Sequence, residues 1–111
     1  MSETNERIAD LLELTDEDPD DVLAHFMLAQ EYQRAKAWDD AVPYFEIVLD
    51  MDPGYSAAYR GLGKSFKELG DEDRAKEVLL RGMEVADAAG DLQTWREMKT
   101  LLKRMGVHID D

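Results

Sequence analysis

Few residues in this chain are able to do covalent or acid–base chemistry. It has no cysteine, so it offers no thiolate nucleophile, no disulfide and no zinc–thiolate site. His25 and His108 are its only histidines. No HExxH, GxSxG or glycine-rich phosphate loop occurs, and Gly61 and Gly63 fall mid-helix, where they cradle nothing. Carboxylates crowd Asp16-Glu17-Asp18-Pro19-Asp20-Asp21, yet this run lacks the spacing and the glycine of a calcium loop. A solvated turn with capping aspartates accounts for it better. Trp38 and Trp95 read as packing residues rather than a platform for stacking bases. The inventory points away from an enzyme and implies no catalytic residue, no metal site and no cofactor.

Charge narrows the partners. The chain has 111 residues, 44% of them hydrophobic, which is enough for one domain with a single core. Its net charge of -13 makes nucleic acid and anionic membrane poor partners. That charge is unevenly spread. Residues 1–55 hold 3 Lys/Arg against 15 Asp/Glu, giving -12, and residues 56–111 hold 10 against 11, giving -1. Such a composition resembles that of proteins from salt-rich cytoplasms. Met1 to Glu6 has no basic region followed by an apolar run, and no apolar run approaches membrane-spanning length. The expected location is the cytoplasm.

The elements that would position any site follow from a repeat. The chain reads His25-x2-Leu28-Ala29-x2-Tyr32, then Ala41-x3-Phe45, then Pro53. Thirty-four residues later come Tyr59-x2-Leu62-Gly63-x2-Phe66 and Ala75-x3-Leu79. In this period and these spacings the chain resembles the tetratricopeptide repeat family. The resemblance implies an all-α fold, a tetratricopeptide-type right-handed superhelix of about six antiparallel helices. It divides the single domain 1–111 into an N-terminal half repeat (1–19), repeat 1 (20–54), repeat 2 (55–90), a C-terminal capping helix (91–106) and a tail (107–111). His25 takes the repeat's aromatic position, so a packed core residue is expected there.

Local signals predict helices over about 3–15, 20–34, 38–51, 55–69, 72–88 and 92–105. Ser2 or Thr4 serves as cap for the first, Asp20 or Asp21 for the second and Asp71 for the fifth, with Gly70 closing the fourth. Pro43 is expected in the first turn of its helix or just beyond. Gly63 is the small residue that lets paired helices approach. A strict 34-residue period would place Arg96 in the core, which burial of an unpaired charge forbids. Two extra residues in the last turn instead align Trp95, Met98, Lys99 and Leu102 with Tyr59, Leu62, Gly63 and Phe66. Lys99 at the small position suits a final helix with no partner behind it. The tail from Val107 is expected to fray.

The resemblance also implies a site. In the family the first helix of each pair lines a concave groove. Its ligand-facing positions map to Leu23, Phe26, Gln30, Gln33 and Arg34, then to Ala57, Arg60, Lys64, Lys67 and Glu68. In the last helix they map to Gln93, Arg96, Thr100, Lys103 and Arg104. The second and third rows carry Arg60, Lys64, Lys67, Arg96, Lys103 and Arg104, so six of the 13 basic residues of an acidic chain fall there on one surface. Arg60 and Lys64 at i,i+4 would repel by a few tenths of a kcal/mol on an exposed helix. A groove for an anionic ligand, an ordinary solvated face and docking of the chain's own Asp110-Asp111 tail all remain open. One subfamily grips a chaperone's C-terminal carboxylate with a Lys and two Asn. The corresponding Phe26, Gln30 and Gly61 argue against that clamp.

The function this implies is a non-enzymatic protein–protein interaction module or scaffold, binding a peptide or protein segment in its concave groove. The segment is expected to be acidic or carboxylate-bearing. Two alternatives stand beside it: a structural repeat protein that self-associates through its ends, and an accessory subunit of an enzyme complex. The chain is expected to be a monomer or a weak homodimer.

Overall fold

Aspartate caps start three of the six helices in the computed structural model, which describes residues 3–109. The helices are α1 (Glu3–Glu17), α2 (Val22–Arg34), α3 (Trp38–Met51), α4 (Ser56–Glu68), α5 (Glu72–Ala89) and α6 (Leu92–Arg104). Asp21 accepts from Ala24 N at 3.0 Å, Asp71 from Arg74 N at 3.2 Å and Asp91 from Thr94 N at 3.2 Å. Each satisfies a donor that the first helical turn leaves free. Of the two aspartates expected to cap α2, Asp21 does so. Ser2, one of the two expected caps of α1, lies outside the described residues.

Four helices end the same way. A residue at the cap or just past it turns left-handed, and the next N–H reaches back five residues. Asp71 N bonds Phe66 O at 2.9 Å after Gly70, Asp91 N bonds Ala86 O at 2.8 Å after Gly90, and Val107 N bonds Leu102 O at 2.9 Å after Gly106. At the end of α2 the left-handed residue is Lys36, with φ 59°. Glycine enters this conformation without strain, whereas Lys36 pays for its Cβ.

Pro43 lies just beyond the first turn of α3, as its sequence context suggests. The first closed bond of α3 is Ala41 N to Ala37 O, so Pro43 sits beyond the free N-terminal donors. It withholds a donor from Asp39 O. Both residues are exposed, so water reaches that carbonyl and the helix continues.

Neighbouring helices pack in order, and α2 also touches α4, as α4 touches α6. Among the described residues no Cα of α3 comes within 8 Å of one of α5. Closer approach of the inner helices than of the outer ones bends the stack, with α2, α4 and α6 on the inside. The molecule measures 43 × 27 × 20 Å. Two apolar layers fill it. Phe45, Val48, Leu62 and Phe66 lead the first, and Tyr59, Leu79, Met98 and Leu102 the second. Close approach is built in by glycine. A Cβ on Gly63 would collide with Leu79, and one on Gly82 with Tyr59 and Met98.

Met98 and Leu102 are fully buried, as the two-residue shift requires. The tail is better anchored than a frayed end. Val107 and Ile109 are half-buried against the second layer. Their apolar side chains remove more surface from water than a free end would.

Candidate functional site

The concave surface is made by the inner helices, and its floor is held by polar struts. Gln33 Nε2 of α2 donates to Gly61 O at 2.9 Å and to Ser65 Oγ at 3.1 Å, both on α4. Arg60 of α4 donates through NH1 to Glu97 Oε1 of α6 at 3.0 Å. Ser56 Oγ, also on α4, donates to Asp91 Oδ2 at 2.6 Å. The Ser56 hydroxyl, helped by Thr94, holds the Asp91 carboxyl below its ordinary range. These bonds run from one inner helix to the next and fix the groove's width.

Two depressions share that floor. One, of about 460 Å³, is lined by Gln33, Arg60, Lys64, Glu97, Thr100 and Arg104. The other, of about 270 Å³, lies against Gln30, Gln33, Arg34, Lys64 and Trp38. Gln33 and Lys64 belong to both, so the groove is continuous across α2, α4 and α6.

Not every residue mapped to the groove lies in it. Phe26 is a core residue, 8% exposed, with its ring centroid 4.8 Å from Tyr55 and 6.0 Å from Phe45. An aromatic ring gains more by burial than by facing water, and the first layer has room for it. Arg96 and Lys103 line a separate depression with Leu92, Trp95 and Lys99, meeting the groove only at Thr100. Leu23, Ala57, Lys67, Glu68 and Gln93 border none of these depressions, and Leu23 is 58% exposed.

The cations are not equivalent. Arg60 is paired with Glu97, and Arg34 lies 3.7 Å from Glu31. Among the described residues Lys64 and Arg104 have no carboxylate at ion-pair distance. Asp110 and Asp111, the segment considered for self-docking, lie outside the described residues. Glu97 and Trp38 were absent from the mapped positions. For Glu97 a signal exists: it sits on the next inner helix after that of Arg60, one place beyond the corresponding position, with opposite charge. Trp38 carried none, because it opens an outer helix.

Comparison with known proteins agrees with this architecture. The tetratricopeptide repeat profile matches residues 32–95, more than half of the chain. A TPR repeat-containing protein of Pseudomonas aeruginosa is 30% identical over 86 residues, covering 78% of this chain and 82% of that protein. A solution structure of a protein from Bordetella parapertussis superposes with a TM-score of 0.77 at 31% identity, covering 96% of this chain and 89% of that one. A crystal structure of a tetratricopeptide repeat domain protein from Salinibacter ruber gives a TM-score of 0.72 at 30% identity, over 79% of this chain and 99% of that one. With the repeated aromatic, small and proline positions stacked as six helices, the chain belongs to the tetratricopeptide repeat family.

Proposed function

We propose that the concave face of α2, α4 and α6 holds an acidic or carboxylate-bearing segment of another protein. The family's fold serves protein–protein interaction, and its members are in general non-enzymatic scaffolds. The finer reading rests on one observation. Lys64 and Arg104 line the 460 Å³ depression with no carboxylate of the described residues at ion-pair distance, and Glu97 in the same depression is paired with Arg60. Two cations kept unpaired on an acidic protein suit an anionic guest better than they suit stability. Arg60 contributes less, because Glu97 already neutralises it.

The groove is open and shallow, so side-chain ends and backbone of a bound segment would share it with water. Gln30 and Gln33 offer amides to backbone groups of such a segment, and Trp38 offers an apolar wall. A cytoplasmic location belongs to the same reading. No helix among the described residues is long and apolar enough to cross a membrane.

The test uses a fluorescent glutamate-rich peptide as probe. Wild type should bind it, more weakly as salt is raised. Lys64→Glu with Arg104→Glu should lose at least about tenfold in affinity, the worth of one charge-assisted contact. Arg81→Glu on α5, exposed and outside the groove, should bind as wild type does. A double reversal that binds equally well would refute the acidic-segment reading.

A further inference from the structure

The stack leaves one helix face uncovered at each end, and the two faces match. At the start, Leu14 is 42% exposed, Leu23 58% and Met27 43%. One repeat later their counterparts are Val48, Ala57 and Gly61. Val48 is fully buried, and Gly61 is buried beneath the Phe45 ring. The inner helix α2 touches both α3 and α4 and helps to cover them. Among the described residues no helix does this for α1 and α2.

At the other end, α6 holds the place of α2 and α4, and among the described residues no outer helix follows it. Leu92 is 54% exposed. With Trp95, Arg96, Lys99 and Lys103 it lines a shallow depression of about 510 Å³. Val107 and Ile109 pack on the layer beneath and leave Leu92 open.

The internal contacts show what would meet across these faces. Gln33 donates to Ser65 Oγ on the next inner helix. The counterpart of Gln33 on α6 is Lys103, and the counterpart of Ser65 on α2 is Glu31. Glu31 is 7% exposed, with Oε1 3.5 Å from Arg7 and 3.7 Å from Arg34. Its Oε2 is buried with no hydrogen-bond partner among the described residues. A buried carboxylate oxygen without a donor is costly, and the repeat geometry sets a lysine on this side of α2, which the Glu31 side chain meets by turning outward, since Oε2 is covered by its own chain here. Likewise Gly82 packs on Tyr59. The counterparts of that pair are Leu14 and Trp95, one at each end. Overall charge agrees. Helix α1 carries six carboxylates against one arginine, and α6 four cations against one glutamate.

We propose that copies of this chain stack head to tail, α6 of one copy seating against α1 and α2 of the next. Trp95 then covers Leu14 of the next copy, and Lys103 reaches Glu31 of the next copy. The contact joins different surfaces, so association does not stop at a dimer. It is looser than an internal seam. Arg7 and Lys99 stand where the repeats carry Ala41, Ala75, Ala29 and Gly63, and their long stems keep the helices further apart. Association is therefore weak and concentration-dependent. Lys64 and Arg104 take no part, so this proposal and the groove reading stand or fall separately.

Sedimentation velocity of the full chain across concentration at low salt tests it, using Leu23→Asp to disable the first face and Lys103→Glu to disable the second. Wild type should grow beyond a dimer as concentration rises. Each variant alone should associate at least about tenfold more weakly. Each still carries the other face intact, so an equimolar mixture should form a one-to-one pair and grow no further. Circular dichroism checks that each variant folds. Met27→Glu and Arg96→Glu repeat the pair at neighbouring positions if either loses helicity. A wild type that stays monomeric or stops at a dimer overturns the proposal, as do variants that associate like wild type or fail to pair when mixed.

Discussion

The two full repeats build nearly the same backbone from different residues. In the first, His25 Nε2 lies 2.9 Å from Pro19 O, and in the second, Tyr59 OH lies 2.8 Å from Pro53 O. Both tie an inner helix to the turn six residues earlier. A carbonyl only accepts, so Nε2 carries the proton in His25, and the buried Nδ1 has no hydrogen-bond partner among the described residues. Tyr59 makes the same tie with nothing left over. Elsewhere Phe26 stands against Arg60, Glu31 against Ser65, and Lys36 against Gly70. Positions that face the chain's own layers accept any group of suitable size with its polar atom placed. Positions that face the next helix, or none, vary in charge, and there the halves diverge to -12 and -1.

The largest effect should come from the layer between the repeats. Phe45 and Leu79 hold the same place, and both are fully buried. Phe45 lies over Gly61 of the following repeat, so its removal opens a cavity between two repeats. Phe45→Ala should cost roughly 3–5 kcal/mol and Leu79→Ala roughly 2–5 kcal/mol, read from urea midpoints. A loss near zero for either would mean that the two residues do not share a structural role.

This layer also shows how much the sequence disclosed. The pattern from Leu28 to Leu79 located the helices to within about two residues, because repeated spacings average out local ambiguity. The shift that places Met98 and Leu102 inside was legible from Arg96 alone, since an unpaired buried charge is forbidden. Single positions were harder. Phe26 follows the family's groove mapping yet packs inward on Tyr55, and only the neighbouring turn decides that. Glu31 has no place in the repeat pattern, yet it is buried, with Arg7 of the preceding helix α1 against it. Arg60 belongs to a same-sign row in the sequence, yet in the fold Glu97 lies beside it.

A smaller effect separates the halves by charge. Relief of self-repulsion in residues 1–55 should raise the melting temperature between low and molar sodium chloride. A gain of ~1 kcal/mol would read as roughly 4–8 °C. The Debye length falls from about 10 Å at 0.1 M to about 3 Å at 1 M, so close pairs are screened last. A neutral osmolyte series serves as control. A flat or falling melting temperature would show that attraction between helices, such as Arg60 with Glu97, balances the repulsion.

The two ties can be compared directly. Tyr59→Phe keeps the ring in the second layer and deletes only the hydroxyl. It should cost about 0.5–1.5 kcal/mol, because Pro53 O loses that partner at a half-buried site. No change in thermal or urea stability would mean that water replaces the hydroxyl, and that the ties do not help hold the helices.

The smallest effect lies in the turns, where one substitution should stabilise. Lys36 and Gly70 both follow an inner helix and both have positive φ, 59° and 83°. The same pair of bonds closes each turn: Lys36 N to Gln33 O with Ala37 N to Tyr32 O, and Gly70 N to Lys67 O with Asp71 N to Phe66 O. A residue with a Cβ gives up roughly 1–2 kcal/mol to enter this conformation. Glycine avoids that cost but loses more freedom on folding, by roughly 0.5–1 kcal/mol. The lysine charge also favours a helix C-terminus, by about 0.3–1 kcal/mol at the surface. The terms nearly cancel, leaving Lys36→Gly more stable by at most ~1 kcal/mol. Lys36→Asn loses the charge but tolerates the left-handed region, and should fall between the two. Gly70→Lys imports the strain into the second repeat and should destabilise by a similar amount. Thermal melts of the three variants decide it: if Lys36→Gly and Gly70→Lys move in the same direction, the two turns are not equivalent and the symmetry between the repeats ends at their helices.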